Sequence, residues 1–527
     1  MDNENKVTPA GVKALQAIEQ LALFALRQRL IEPADLDYSR NVLLEQFGFS
    51  EPSFDEVDQT ILEGPQAPLD ILIDYGFEIG LIPENSDTYR DLLDAKIMGL
   101  LMARPSEVNA EFRRLTEEKG ISAATDQFYK LSIDSNYIRM DRISKNVYWL
   151  QDSPYGDLEM TINLSKPEKS PKEIAMARLL PPPVYPKCQL CRENVGYAGR
   201  INHPPRQNLR IIPMALNNEK WFFQYSPYVY YNEHCIVFHH DHVPMKLTKD
   251  TLKRLLGFVE SFPHYFIGSN ADLPIVGGSI LTHDHFQGGR HTFPIQKAPK
   301  ESTFTHEAYL GVSISIVKWP MSVLRLHGQD PAVLLECGNS IYEAWKGYSD
   351  PEAEVLAFTT EAGGESTPHN TVTPIVRRAE DGGYEMDLVL RNNRTSEEYP
   401  EGIFHPHREM HHIKKENIGL IEVMGLAILP GRLKEELDRI AGILAGDSTT
   451  LNALQGDSTH ALALHAGWVQ ELLERFGTSL DHEEAVKTIQ NEVGNKFTHI
   501  LEHAGVYKRT PEGQEAFHRF VKSFGAS

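Results

Sequence analysis

The chain has 527 residues, 41% of them hydrophobic, and 73 Asp and Glu against 52 Lys and Arg give it a formal net charge of −21. Such a length supports two to four structural units around a large buried core. The acidic balance excludes a broad nucleic-acid face, which needs clustered Lys and Arg, and the absence of any run of about 18 apolar residues excludes a helical membrane span.

The first residues, MDNENKVTPAGVKAL, are acidic and amide-rich where a signal peptide needs a basic flank and an apolar run, so a cytoplasmic location is expected. From Val12 to Leu30 apolar residues recur at helical spacing (Val12, Leu15, Ile18, Leu26), and similar patterns continue to about residue 150. Residues 1–180 are therefore expected as a mostly helical N-terminal region with a packing role, or with the dimer-forming role that a homodimer would need. A linker or boundary is expected near residues 151–183, where Pro, Ser and charge accumulate and Pro181, Pro182 and Pro183 stiffen the chain.

Beyond this point short β-branched and aromatic runs dominate: Tyr228 to Tyr231, Cys235 to Phe238, Tyr265 to Ile267 and Val276 to Leu281. Between the second and third, Thr248 is an N-cap candidate for a helix with the stripe Leu252, Leu255, Leu256 and Val259. Val312, Ile314 and Ile316 alternate as in a half-buried strand, and Asp330-Pro331 opens a helix through Trp345. Ile375 to Arg378 and Met386 to Leu390 flank Asp381-Gly382-Gly383, which predicts a hairpin. The fold class is thus α+β, with a first α+β half over 181–300, a second over 301–430 and a helical C-terminal region over 431–527.

Chemistry concentrates in Gly277-Gly278-Ser279-Ile280-Leu281-Thr282-His283-Asp284-His285-Phe286-Gln287-Gly288-Gly289. Residues two apart on an extended segment project to one side, so His283 and His285 can serve one site in different roles. A neutral imidazole binds zinc and is also a ready nucleophile near pH 7. The glycines admit a ligand close to the backbone, and Gln287 offers an uncharged amide donor to a phosphate oxygen. The bland alternative is two histidines in a glycine-rich surface loop.

Four cysteines cannot build a disulfide framework in so long a chain, and Cys188-Gln189-Leu190-Cys191 has the spacing of half a zinc site. Its missing ligands have candidates in His234, His239, His240, His242 and His283; the alternative is a pair of plain thiols. His405-Pro406-His407, followed by His411 and His412, is a second His-x-His, but it lacks the Gly-Gly flanks and a Gln two residues on, so it suits a metal or structural role. Arg408, Lys414 and Lys415 nearby have the charge to neutralise phosphate, although such residues are most often solvated.

At these motifs the sequence resembles the second family of galactose-1-phosphate uridylyltransferases, a bacterial branch of the histidine-triad superfamily. The likeness is densest in PPPVYPKCQLC, NVGYAGRINHPPRQNLRIIP, WFFQYSPYVYYNEHCIVF and GGSILTHDHFQGGRHTFPI. It implies two histidine-triad-like halves and a ping-pong reaction. UDP-glucose gives its uridylyl group to a histidine, glucose 1-phosphate leaves, and galactose 1-phosphate then takes the group to form UDP-galactose. His285 is similar to the nucleophile and Gln287 to the phosphate contact, with Asp284 standing where the better-studied first family has Pro.

The resemblance also implies structural zinc held by Cys188, Cys191, His283 and His242, with His240 the runner-up for the last place. For the nucleotide, Asn270 and Ser279 resemble family residues one position out of register, and Gln224 and Tyr225 fall near the uracil and ribose segment. Gly277 and Gly278 line the approach, Arg206 and Arg210 are candidate phosphate clamps, and Glu422 resembles a hexose contact. Two rivals stand beside this reading. One is a hydrolase of the same superfamily, in which water intercepts the adduct; the other is a zinc-stapled interaction module, which has no use for the glycine-flanked histidines.

Overall fold

The computed structural model describes residues 7–53, 63–165, 184–278, 280–360, 364, 366–457 and 459–527. The Pro181–Pro183 run and Ser279 lie outside the described residues. Contacts group the chain into two compact units, Met1–Lys145 with Ser165–Val229 and Glu233–Val243, and Asn146–Leu164 with Tyr230–Asn232 and Pro244–Ser527.

In the first unit, α1 (Pro9–Arg27) begins where Thr8 Oγ1 accepts a hydrogen bond from Gly11 N at 3.1 Å. Its packed face is Ala14, Ala17, Ile18, Leu21 and Phe24, while Val12 is exposed. The periodicity places Val12 on the stripe, but the alanines let α2 (Leu36–Phe47) and α3 (Gln66–Glu78) approach closely on the adjoining face. Glu19 on α1 takes a two-pronged hydrogen bond from Arg40 Nε on α2, at 2.7 and 2.9 Å. The helices α4 (Asp87–Leu100), α5 (Pro105–Lys119) and α6 (Ile121–Asp134) continue the region.

The same unit carries an antiparallel meander of β1 (Ile212–Leu216), β2 (Glu219–Tyr225) and β3 (Cys235–His239). Asn217 and Asn218, with φ of 50° and 64°, make the two-residue turn between β1 and β2, a left-handed pair that asparagine tolerates well. Phe128 of α6 packs on Phe223 and Tyr225 of β2 with ring centroids 6.0 and 5.4 Å apart, so helical and strand residues share one body. The expected strand Tyr228 to Tyr231 is a loop instead, and Val229 sits at φ 41°, outside the extended region.

In the second unit, α7 (Lys249–Ser261) follows Thr248 as predicted, and Leu252, Leu255, Leu256 and Val259 are buried. Seven antiparallel strands form its sheet: β4 (Phe266–Gly268), β5 (His285–Gly289), β6 (Lys300–Phe304), β7 (Ser313–Val317), β8 (Val323–Gly328), β9 (Asn370–Arg378) and β10 (Tyr384–Asn392). Their spatial order is β5-β4-β9-β10-β8-β7-β6. The β9–β10 hairpin turns at Gly382, φ 84°, as its composition predicts.

Helix α8 (Pro331–Gly347) opens at Asp330, whose side chain accepts from Ala332 N, and it packs on this sheet. A Cβ on Gly338 of this helix would stand 2.7 Å from Met386 Sδ. A smaller sheet joins the hairpin Val147–Gln151 and Leu158–Ile162 to the parallel strand Leu426–Leu429. The sequence reading placed helix and linker over the hairpin. The C-terminal helices Leu433–Leu444 and His482–Ala504 pack together through Leu437, Ile440, Val493 and Phe497 in the unit's main core.

Candidate active site

His285 opens β5 and is 6% exposed. Strand β5 pairs with β4 in the register Gly268↔Gln287, Ile267↔Gly288 and Phe266↔Gly289. Because the strand starts at His285, alternation puts His285 and Gln287 on one face of it. His285 Nδ1 donates to the carbonyl oxygen of His283 at 2.8 Å, which leaves the in-plane lone pair on Nε2. Burial lowers the imidazole pKa to about 4, with the backbone hydrogen bond opposing and the His283 charge adding to the fall, so the ring is neutral near pH 7. A buried neutral imidazole with a fixed tautomer is equipped for nucleophilic attack from Nε2. His283 itself lies in the bend before the strand and is fully buried.

The described residues leading to this strand form a loop where a strand over Val276 to Leu281 is expected: Ile275 takes φ 71°, and Ala271 bridges to Gly277. The glycines here accommodate the protein itself. A Cβ on Gly277 would stand 2.6 Å from the Leu273 carbonyl oxygen, and one on Gly278 would stand 2.5 Å from Asn270 Nδ2. Asn270, buried, accepts from Leu420 N through Oδ1 at 2.9 Å and so ties the loop to the segment bearing Glu422. Glu422, 9% exposed, pairs with Lys414 Nζ at 2.9 Å and accepts from Gly419 N at 3.2 Å. Lys414 was considered only as a general cation in the sequence; the pairing with Glu422, eight residues on, had no signal there.

In the first unit, Cys188 Sγ and Cys191 Sγ are 3.6 Å apart, and Cys191 Sγ is 3.3 Å from His242 Nδ1. Asn194 clasps the turn, donating through Nδ2 to the carbonyls of Cys188 and Cys191 at 2.9 and 2.7 Å. His242 occupies this position in preference to His240, which donates through Nδ1 to Asp241 and stacks on Phe222. The three donors form a Cys/His cluster that can hold a metal. A tetrahedral ion with bonds of about 2.3 Å to sulfur and about 2.0 Å to nitrogen places its donors about 3.5–3.8 Å apart, close to the separations here. Burial raises the Cys188 thiol pKa in the absence of a cation, the state that a cation would reverse.

Arg206, 8% exposed, lines a cavity of about 230 Å³ in the first unit, with Tyr137, Arg139, Arg142, Arg200 and Asn202 on its wall. The sequence reading missed Tyr137, Arg139, Arg142 and Arg200; the i, i+3 spacing of Arg139 and Arg142 was the available signal. Arg210 is placed differently: it donates to the carbonyls of Ala103, Gln207 and Leu209 at 2.9, 3.1 and 2.9 Å, and burial lowers it to about 10. Gln224 is buried on β2, opposite Ile236.

The second His-x-His has a different environment. His407 lies between Tyr399 and His503, each stacked at 4.1 Å, and its Nε2 meets the Ile403 carbonyl at 3.2 Å. His412, His465 and Glu436 form a hydrogen-bonded chain at 2.7 and 3.0 Å. No helix among the described residues is long and apolar enough to cross a membrane.

Two family models match the chain: galactose-1-phosphate uridyl transferase, N-terminal domain, over residues 55–244, and the corresponding C-terminal domain over 258–455. A protein named galactose-1-phosphate uridylyltransferase from Caldanaerobacter subterraneus subsp. tengcongensis is 56% identical over 508 residues, covering 96% of this chain and 97% of the relative. One of the same name from Bacillus subtilis is 50% identical over 515 residues, covering 97% and 98%. No solved structure matches the chain.

Proposed function

The chain belongs to the galactose-1-phosphate uridylyltransferase family, and on that premise we propose that it carries a uridylyl group from UDP-glucose to galactose 1-phosphate through a covalent bond to His285 Nε2. As a uridylyltransferase of galactose metabolism, it works on a sugar nucleotide and a sugar phosphate. The observation that carries the reading is the His285 imidazole, buried, neutral and held by its Nδ1 hydrogen bond to the His283 carbonyl.

The Nε2 lone pair attacks the α-phosphorus of UDP-glucose, the bond to the bridging oxygen breaks, and that oxygen leaves on glucose 1-phosphate. A phosphate oxygen of galactose 1-phosphate then attacks the same phosphorus, the phosphorus–nitrogen bond breaks, and UDP-galactose departs. Throughout, Nδ1 keeps its proton and donates it to the His283 carbonyl, which favours the positive charge that the ring acquires in the adduct. Gln287, on the same strand face, supplies an uncharged donor to a non-bridging oxygen. Asn270 and Glu422 shape the substrate side of the second unit, Gln224 serves the nucleotide and Arg206 is a phosphate clamp, while Gly277 and Gly278 let the loop before β5 pack closely on Leu273 and Asn270. Ser279 is assigned by resemblance alone.

The metal of the cluster is zinc, held by Cys188, Cys191 and His242, and its part is to fix the turn and the end of β3 in place. The resemblance gives His283 as the fourth ligand, and a His283→Ala chain that still holds one equivalent of zinc would remove it from the set.

The test is to mix the pure protein with UDP-glucose and galactose 1-phosphate and follow UDP-galactose, which is expected without net release of UMP. Release of UMP with no UDP-galactose would return the hydrolase reading. No binding of UDP-glucose at all would revive the interaction module.

A further inference from the structure

We propose that the cavity of the first unit is a phosphate-binding site, built jointly by the helical N-terminal region and the 200–206 loop, which receives the phosphate of a sugar phosphate or a nucleotide. The cavity wall carries four guanidinium groups, from Arg139, Arg142, Arg200 and Arg206, against the carboxylates of Asp87 and Asp91, in a chain whose overall charge is strongly negative. Two of the four are already matched. Asp91 takes Arg139 and Arg142, each at 2.6 Å, and Arg139 also reaches Asp94 at 3.3 Å.

Arg200 and Arg206 have no carboxylate partner among the described residues. Arg200 Nε and Nη2, Arg206 Nε and Tyr137 Oη are buried with no hydrogen-bond partner there either. An unpaired buried donor costs about 1–3 kcal/mol, and more when it is charged, so several on one cavity wall require an explanation. A phosphate in this cavity offers oxygens that accept from a guanidinium fork or a phenol, and a charge that offsets Arg200 and Arg206, which lack a carboxylate among the described residues.

The wall is also preorganised. The Arg206 guanidinium lies over the Tyr137 ring at 5.7 Å, and its Nη1 is anchored to the Pro205 carbonyl at 3.1 Å. Tyr137 is pushed up to about 12 by burial, so it keeps the proton it would donate. His203 is lowered to about 4 by burial and by the neighbouring Arg206 and Arg200, and adds no charge of its own near pH 7. At about 230 Å³ the space is several times the roughly 30 Å³ share of one water, so it admits more than a bare anion.

The inference rests on the proposed uridylyl transfer only for its choice of ligands. The test uses the full chain with His285→Ala, which cannot form the adduct, titrated calorimetrically with inorganic phosphate, galactose 1-phosphate, UMP and uridine. Adding Arg200→Gln is expected to raise the Kd of at least one phosphate-bearing ligand tenfold or more, with uridine unaffected. Tyr137→Phe, which keeps the ring and the fold, is expected to raise the same Kd several-fold. Loss confined to galactose 1-phosphate assigns the site to the sugar phosphate, and loss confined to UMP assigns it to the nucleotide. Unchanged Kd for every ligand in both variants, or an equal loss for uridine, overturns the proposal. Label transferred from UDP-glucose to His285 in the unaltered chain reports on the transfer reaction separately.

Discussion

The Nδ1 proton of His285 rests on the carbonyl oxygen of His283, 2.8 Å away, so a backbone acceptor two residues earlier decides which nitrogen of the buried ring is free to attack. Its pKa, lowered to about 4, means the ring stays unprotonated as the pH falls through neutrality. The kcat/KM profile for UDP-glucose, which has no ionisation of its own in this range, is expected to be flat from about pH 8 down to about pH 6 and to lose its acid-side half only near pH 4, because only the free lone pair attacks. With UDP-glucose labelled in the α-phosphate, the label should sit on the His285 peptide, vanish in His285→Ala and persist in His407→Ala. Label at His407, or a midpoint near pH 6.5, would reject the assignment.

Gln287→Glu replaces the amide donor proposed to face the phosphate by a negative charge. Loss of one such donor is worth about 3–4 kcal/mol in other enzymes, so kcat is expected to fall by about 10²- to 10³-fold. Steady-state kinetics of UDP-galactose formation checks this, and turnover equal to the parent's would show that Gln287 does not face the reacting phosphorus.

Cys188→Ser is expected to lower thermal stability more than it lowers the transfer rate per folded molecule, because the role proposed for the cluster is to fix a turn and not to take part in the chemistry. Elemental analysis should find zinc in the parent and a reduced content in the variant. Active parent enzyme with no zinc would dispose of the metal.

A buried carboxylate away from these histidines controls acid stability. Although burial pushes its pKa up, Arg325 and Arg377, bonded at 2.7–2.9 Å, hold Asp387 down at about 2. Since the folded value lies below the unfolded one of about 3.9, its contribution is present above about pH 4 and is lost as the pH falls towards 2; it amounts to about 2–3 kcal/mol. Asp387→Asn leaves the buried Arg325 guanidinium without its carboxylate, while Arg377 keeps Glu385 at 2.7 Å, and is expected to cost about 3–5 kcal/mol in denaturant unfolding near pH 7. In that variant, the acid-dependent loss between about pH 4 and 2 should shrink; an unchanged acid profile would place the sensitivity elsewhere.

What the sequence determined by itself was chemistry confined to a few neighbouring residues. Thr248 and Asp330 mark helix starts, and Asp381-Gly382-Gly383 marks a hairpin, because caps and turns are made by side chains and dihedral preferences within four residues. The glycine-flanked His283 and His285 and the Cys188/Cys191 pair were visible for the same reason. His242 beside Cys191, fifty-one residues away, was reached only through the family resemblance, and tertiary structure alone decided that Arg325 and Arg377 surround Asp387 and that Lys414 meets Glu422. It also gave Gly278 to the Asn270 amide and Arg210 to three carbonyls, and it gathered Tyr137 with Arg200 and Arg206 around one cavity. Those outcomes depend on the path of the backbone and on which polar groups find partners once water has been excluded, and neither is encoded in the spacing of adjacent residues.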